Sequence, residues 1–190
     1  MHASLCDFLS DIFHNAVESG ADSIRVEVRE NDSVMTYMVE DNGKGMSEEI
    51  RRRVTDPFYT DGLKHRKRKV GLGIPFLMQA VEAVSGSFSL ESEEGRGTKV
   101  SYSFPLEHID SPPKGNLVST FLSMISFPGA YRLVIHRSLA VDGKSDAYEV
   151  DRSELEELLG SFEDVGALQL LRTYLQSQET ALDEIRNQVG

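Results

Sequence analysis

Val39-Glu40-Asp41-Asn42-Gly43-Lys44-Gly45-Met46 decides how this chain is read. The alternating run Val34-Met35-Thr36-Tyr37-Met38-Val39 ahead of it has strand periodicity, so Asp41 falls just past a strand end with two glycines behind it. A carboxylate in that place suits nucleotide recognition: it accepts an exocyclic amine, and glycines let the backbone approach a flat base. Asp-Asn-Gly is also ordinary turn chemistry, and taken alone the stretch reads first as a surface turn.

Upstream, Leu5, Phe8, Leu9, Ile12, Phe13, Ala16 and Val17 recur at three- and four-residue intervals, which predicts an amphipathic helix closed by Gly20. Asp11 and Asn15 are one turn apart on it and share a face. Such a pair can hold a hydrated Mg²⁺ and orient a water, because magnesium takes oxygen ligands and keeps waters of its own. It is also what two solvated polar residues look like. Ile24 to Val28 alternates as well, so it pairs with Val34 to Val39 as a hairpin around Asn31-Asp32-Ser33.

Downstream, Ser47 to Val54 reads as a short helix with Ser47 as its cap. Asp56-Pro57-Phe58-Tyr59-Thr60 follows, and Leu63 to Lys69 has no apolar period and reads as a loop. Within it, Lys64-His65-Arg66-Lys67-Arg68-Lys69 is the densest positive charge in an acidic chain, suited to a solvated loop or to a short lid over phosphates. Val70-Gly71-Leu72-Gly73 then opens a helix over Pro75 to Ser85, whose first amides can cradle phosphate oxygens. This is neither a Walker loop nor a dinucleotide fingerprint, since the residues those need do not follow. Strands Ser87 to Glu91 and Thr98 to Phe104 flank the turn Glu94-Gly95-Arg96-Gly97.

In this order and spacing, the Asn15 helix, the Asp41 run, the Phe58 box, Gly71-Leu72-Gly73 and Gly95-Arg96-Gly97-Thr98 resemble the GHKL (gyrase, Hsp90, histidine kinase and MutL) ATP-binding domain over roughly residues 5 to 105. Phe58 and its neighbours match the phenylalanine box of sensor histidine kinases, which places the likeness nearest that branch. The resemblance implies a Bergerat-type α/β (α+β) sandwich, a mixed sheet with helices on one face. It implies ATP and Mg²⁺ as cofactors, Asp41 as the adenine-selecting residue, and Asn15 as the magnesium residue. Gly43, Lys44, Gly45, Met46, Phe58, Lys69, Gly71, Leu72, Gly73 and Thr98 are the further ATP-binding positions it maps, with Thr98 supporting Asp41. Asp11 stands where ATP-hydrolysing members carry Glu, and a shorter acid puts its role as general base in doubt.

The expected function is an Mg-ATP-binding, histidine kinase-like protein acting as a stand-alone protein kinase or an ATP-dependent regulatory switch. Two alternatives stay open, a non-catalytic nucleotide-sensing module and a weak ATPase of the MutL kind. His14 lies on the asparagine helix, and neither it nor His2, His65, His108 or His136 has the setting of a phosphoacceptor, so a complete sensor histidine kinase is not expected.

Composition sets outer bounds. A net charge of −11 over 190 residues gives no field to gather nucleic acid. The single Cys6 excludes an internal disulfide framework, and no run approaches the roughly 20 apolar residues of a membrane span. A cytoplasmic location is therefore expected, with a protein partner or substrate and neither nucleic acid nor membrane. Tandem prolines in Asp110-Ser111-Pro112-Pro113-Lys114-Gly115-Asn116 predict a connector, dividing a domain at 1–109 from an α+β appendage at 117–190 that binds a partner. In the appendage the sequence predicts an apolar helix or buried run at Leu117 to Phe127, then a hairpin around Asp142-Gly143-Lys144. A helix capped by Ser153 and a second helix from Leu168 to Ile185 complete it.

Overall fold

The structure is a computed structural model and describes residues 4–55 and 73–187. Six helices and six strands lie along these residues: α1 (Leu5–Glu18), β1 (Ser23–Asn31), β2 (Val34–Asp41), α2 (Glu48–Thr55), α3 (Gly73–Ala83), β3 (Ser87–Glu93), β4 (Gly97–Pro105), α4 (Leu117–Ser126), β5 (Arg132–Val141), β6 (Lys144–Asp151), α5 (Arg152–Leu159) and α6 (Val165–Asn187). The Phe58 box, the basic run at 64–69, Gly71 and Leu72 lie outside the described residues.

One mixed sheet carries all six strands in the order β3-β4-β2-β1-β5-β6. Every pairing is antiparallel except that of β1 with β5, where Val26 lies opposite Ile135 and Val28 opposite Arg137. Alternation makes the sheet two-faced. Ile24, Val26 and Val28 point into the core with Met35, Tyr37, Val39, Val100, Tyr102, Phe104, Leu133 and Ile135, while Arg25, Glu27 and Arg29 share the opposite, polar face with Thr36, Glu40 and Lys99. The helices cover the apolar face, α1 lying over the middle strands and α6 over β5 and β6. The expected α+β sandwich with a mixed sheet and helices on one face is what the chain forms.

The connector expected at residues 110–116 lies between strands of one sheet. The sheet runs unbroken from β1 to β5, and one core cluster joins Phe8, Phe13 and Tyr37 to Phe121, Leu133, Leu171 and Leu182. Phe13 of α1 meets Tyr131 edge-on, ring centroids 6.0 Å apart. Nor does the proline segment swing free, because its carbonyls close the open end of α1: Leu5 N–H donates to Pro113 O at 2.9 Å and Cys6 N–H to Lys114 O at 3.2 Å. A long-range polar cluster joins the same parts. Buried Glu30 on β1 takes Lys114, Arg137 of β5 and Arg186 of α6, while Arg137 also reaches Glu179, which accepts from the Tyr148 hydroxyl at 2.6 Å.

Local signals elsewhere hold with one change. Leu117–Ser126 is a helix, with Asn116 Oδ1 accepting from Ser119 N–H at 2.8 Å, and Asp142-Gly143 turns the β5–β6 hairpin with both residues at positive φ. Asp151, not Ser153, caps α5: its Oδ1 accepts the Ser153 N–H at 2.8 Å. An acid at a strand end that is also a helix start satisfies the helix amide while its other oxygen pairs with Arg132.

Candidate functional site

Between α1 and the sheet, near the ends of β2 and β4, lies a cleft of about 230 Å³. Its walls are apolar, from Ile12 and Ala16 on α1, Val39 and Val100 on the sheet, Ile50 and Val54 on α2, and Ile74 on α3. Polar residues line it at few places: Asn15, Glu18, Ser19, Asp41, Lys44 and Thr98, with Gly45 and Met46 alongside. A slot of this kind takes a flat, mostly apolar group and orients it by a small number of hydrogen bonds.

Asp41 ends β2 with 9% of its surface exposed. Burial raises its carboxyl above the usual carboxylate range, a push partly offset by the Gly43 N–H at 2.8 Å, the Ser19 hydroxyl at 3.1 Å and the Thr98 N–H. A carboxylate offers about four lone-pair positions, so these three donors leave Asp41 able to accept from a ligand. Asn42 faces away from the cleft and secures the loop behind it, its Oδ1 accepting from Asp22 N–H at 3.1 Å and Ser23 N–H at 3.0 Å.

Lys44, Gly45 and Met46 are held by the β3–β4 turn. Gly95 N–H donates to Lys44 O at 2.8 Å, and Met46 N–H to Ser92 Oγ at 2.9 Å. The Ser92 hydroxyl reaches Gly97 O at 3.0 Å and lies 2.9 Å from Thr98 Oγ1. Thr98 itself is paired directly with Asp41 across the β2–β4 ladder. Gly45 sits at φ +61°, and a Cβ there would stand 2.0 Å from Glu93 O, so only glycine lets loop and turn close on each other.

Asn15 lines the cleft, and Asp11, one turn earlier, stands beside the start of α3 instead. An ideal Cβ on Gly73 would lie 3.3 Å from Asp11 Oδ2. The structure thus gathers Asn15, Asp41, Lys44, Gly45, Met46 and Thr98 around one cleft, with Gly43 bonded to Asp41, and sets Asp11 beside Gly73. Phe58, Lys69, Gly71 and Leu72 belong to the segment outside the described residues.

Residues 2–108 match the family described as histidine kinase-, DNA gyrase B- and HSP90-like ATPase, more than half of the chain. The chain belongs to that family. Among similar proteins, sporulation kinase E of Bacillus subtilis is 31% identical over 100 residues, covering 50% of this chain and 13% of the kinase. Sensor histidine kinase SpaK of Bacillus subtilis is 28% identical over 109 residues, covering 57% of this chain and 23% of SpaK. The matched segment is therefore under a quarter of either kinase's length. A solved structure titled as the N-terminal domain of a DNA repair protein aligns over 88% of this chain and 59% of its own, at 13% identity and a TM-score of 0.49. The chain thus carries an ATPase domain like that of histidine kinases. Among the described residues no helix is long and apolar enough to cross a membrane.

Sequence reasoning missed Ser19, Ser92 and the apolar walls. Ser19 reads as the residue after a helix and Ser92 as one polar position in an alternating strand. Ile12, Val39, Val100 and Ile74 read as core. None carries a local signal of a site, because each acquires its neighbour only when α1, β2, β3 and β4 come together.

Proposed function

We propose that the cleft binds Mg-ATP and that the chain uses it as a histidine kinase-like protein kinase or ATP-dependent switch. One observation carries this reading: a buried carboxylate, Asp41, with acceptor capacity remaining, at the end of an apolar slot in a chain of this ATPase family. The base enters the slot with its amine on Asp41, and the phosphates extend towards Asn15 and the glycine start of α3. Residues Phe58, Lys69, Gly71 and Leu72 belong to the same site on the strength of the sequence alone. Asn15 presents an amide oxygen of the hard type magnesium prefers; one protein ligand fits a metal that is otherwise held by phosphates and water. When bound, magnesium neutralises phosphate charge.

A second reading, a nucleotide-sensing module with little turnover, is favoured by Asp11, an aspartate where hydrolysing relatives carry Glu, set beside Gly73. Titration calorimetry with ATP, with and without Mg²⁺, tests the first reading: the parent binds more tightly with the metal, and Asn15→Ala loses that dependence while retaining metal-free binding. Metal dependence that survives in Asn15→Ala removes Asn15 from the site. Turnover assays on the parent separate the readings, and phosphotransfer or hydrolysis that is unaltered in Asp11→Asn excludes Asp11 as the base.

A further inference from the structure

A hydroxyl has one proton and two acceptor positions, and all three are assigned at Ser92. Its oxygen accepts the Met46 N–H at 2.9 Å, and its proton has Gly97 O as an acceptor at 3.0 Å. The remaining neighbour is Thr98 Oγ1 at 2.9 Å. The Ser92 proton has two acceptors in reach, Gly97 O and Thr98 Oγ1; the carbonyl can only accept whereas Thr98 carries a proton of its own, so the arrangement that satisfies all three groups has Ser92 donating to Gly97 O and Thr98 donating to Ser92. Thr98 Oγ1 then turns lone pairs alone towards the cleft it lines, beside a carboxylate that can only accept.

We infer that Ser92 is a positioning residue that sets the polarity of the Thr98 hydroxyl, making the base end of the cleft a pair of fixed acceptors that admits a 6-amino purine and rejects a 6-oxo purine. Resting on the ATP reading above, this adds how the site discriminates. Ser92 lies on the far strand of the β3–β4 hairpin and acts through Thr98 and Met46. An unmatched buried acceptor facing an oxygen costs about 1–3 kcal/mol, so the orientation of one hydroxyl corresponds to a preference of roughly 5- to 150-fold.

The test measures dissociation constants of ATP and inosine triphosphate for the parent, Ser92→Ala, Ser92→Thr and Thr98→Val. In Ser92→Ala the Thr98 hydroxyl is free to turn and donate to the 6-oxo group, so the preference for ATP falls about tenfold, chiefly because inosine triphosphate binds more tightly. Ser92→Thr restores the preference. Thr98→Val, which keeps Ser92 and deletes the hydroxyl it orients, lowers the preference as well and stands as the test if Ser92→Ala does not fold. A purely structural role for Ser92 weakens both nucleotides alike; equal losses, or a preference unchanged in Ser92→Ala or in Thr98→Val, overturn the inference. A parent that prefers ATP beside variants that prefer it equally overturns this inference alone. A parent that binds neither nucleotide overturns the ATP reading with it.

Discussion

At Asp41, stability and binding pull in opposite directions. Burial raises its carboxyl above the ordinary range despite three donors, so the folded chain holds that proton more tightly than the unfolded chain does. Such a group lowers stability as pH rises from the unfolded value to the folded one, and its penalty is fully present above the latter. Asp41→Asn keeps an oxygen for Gly43 and Ser19 and removes the buried charge. It should melt at a higher temperature than the parent at pH 7, with the gain fading below about pH 4, while ATP affinity falls roughly 5- to 150-fold. Melting curves from pH 3 to 8 beside calorimetry check this; a variant that melts below the parent at pH 7 contradicts it. The sequence already marked Asp41 as a candidate, through its place between a strand and two glycines. That it is buried and shares hydrogen bonds with Ser19 was not visible, since Ser19 is 22 residues away.

Among the elements, the β3–β4 turn does more than reverse the chain. It docks on the Lys44–Met46 loop through Gly95, Ser92 and the close pass of Gly45 under Glu93 O. Two of its glycines have positive φ but different surroundings. Around Gly95, at φ +79°, nothing lies within 4 Å of an added Cβ; at Gly97, φ +99°, the Cβ would meet Asp41 O at 1.9 Å. Gly95→Ala should therefore cost only the left-handed strain of about 1–2 kcal/mol and leave ATP affinity intact. Gly97→Ala should cost more and also weaken ATP, because β4 must move away from Asp41. Denaturant melts and ATP titrations of the two variants decide it; equal effects would show that the contact with Asp41 does not position the site. The Gly-x-Gly-Thr pattern announced the turn in the sequence, while its docking partner, the Lys44–Met46 loop some 50 positions earlier, did not announce itself.

Across the whole molecule, Glu30 and Arg137 tie the two halves of the chain. Burial alone would raise the Glu30 carboxyl, and the cations Lys114, Arg137 and Arg186 outweigh it, holding it below the usual range. The stability this supplies is present above the ordinary carboxylate value and lost as pH falls through the lower folded value. Glu30→Gln leaves fully buried Arg137 with only the Glu179 carboxylate and should cost about 3–5 kcal/mol at pH 7 in a denaturant melt. The loss should narrow in acid; a cost below about 1 kcal/mol would make the cluster incidental. A chain ending at Glu107 loses β5 and with it the partner of β1, opening a central strand edge and the Phe13 face of α1. It should aggregate and show no cooperative melt. A monomeric, ATP-binding product of that truncation would instead support the division at 110–116.

What the sequence determined by itself was local. Periodicity placed α1, the hairpins and α4, and the ordered set of Asn15, Asp41, Gly73 and Thr98 marked the family, because each signal lies within a few residues and depends on spacing alone. Tertiary structure alone decided that residues after 116 complete the sheet. The proline-glycine composition of 110–116 is equally that of a linker and of a segment bonded along a helix start, and only the Pro113 and Lys114 carbonyls on the first α1 amides tell them apart. The same holds for β5. Its alternation suits any sheet edge, and its parallel place beside β1 is chosen by the joint burial of Leu133 and Ile135 with Ile24 and Val26, and by Arg137 finding Glu30, contacts separated by more than 100 residues.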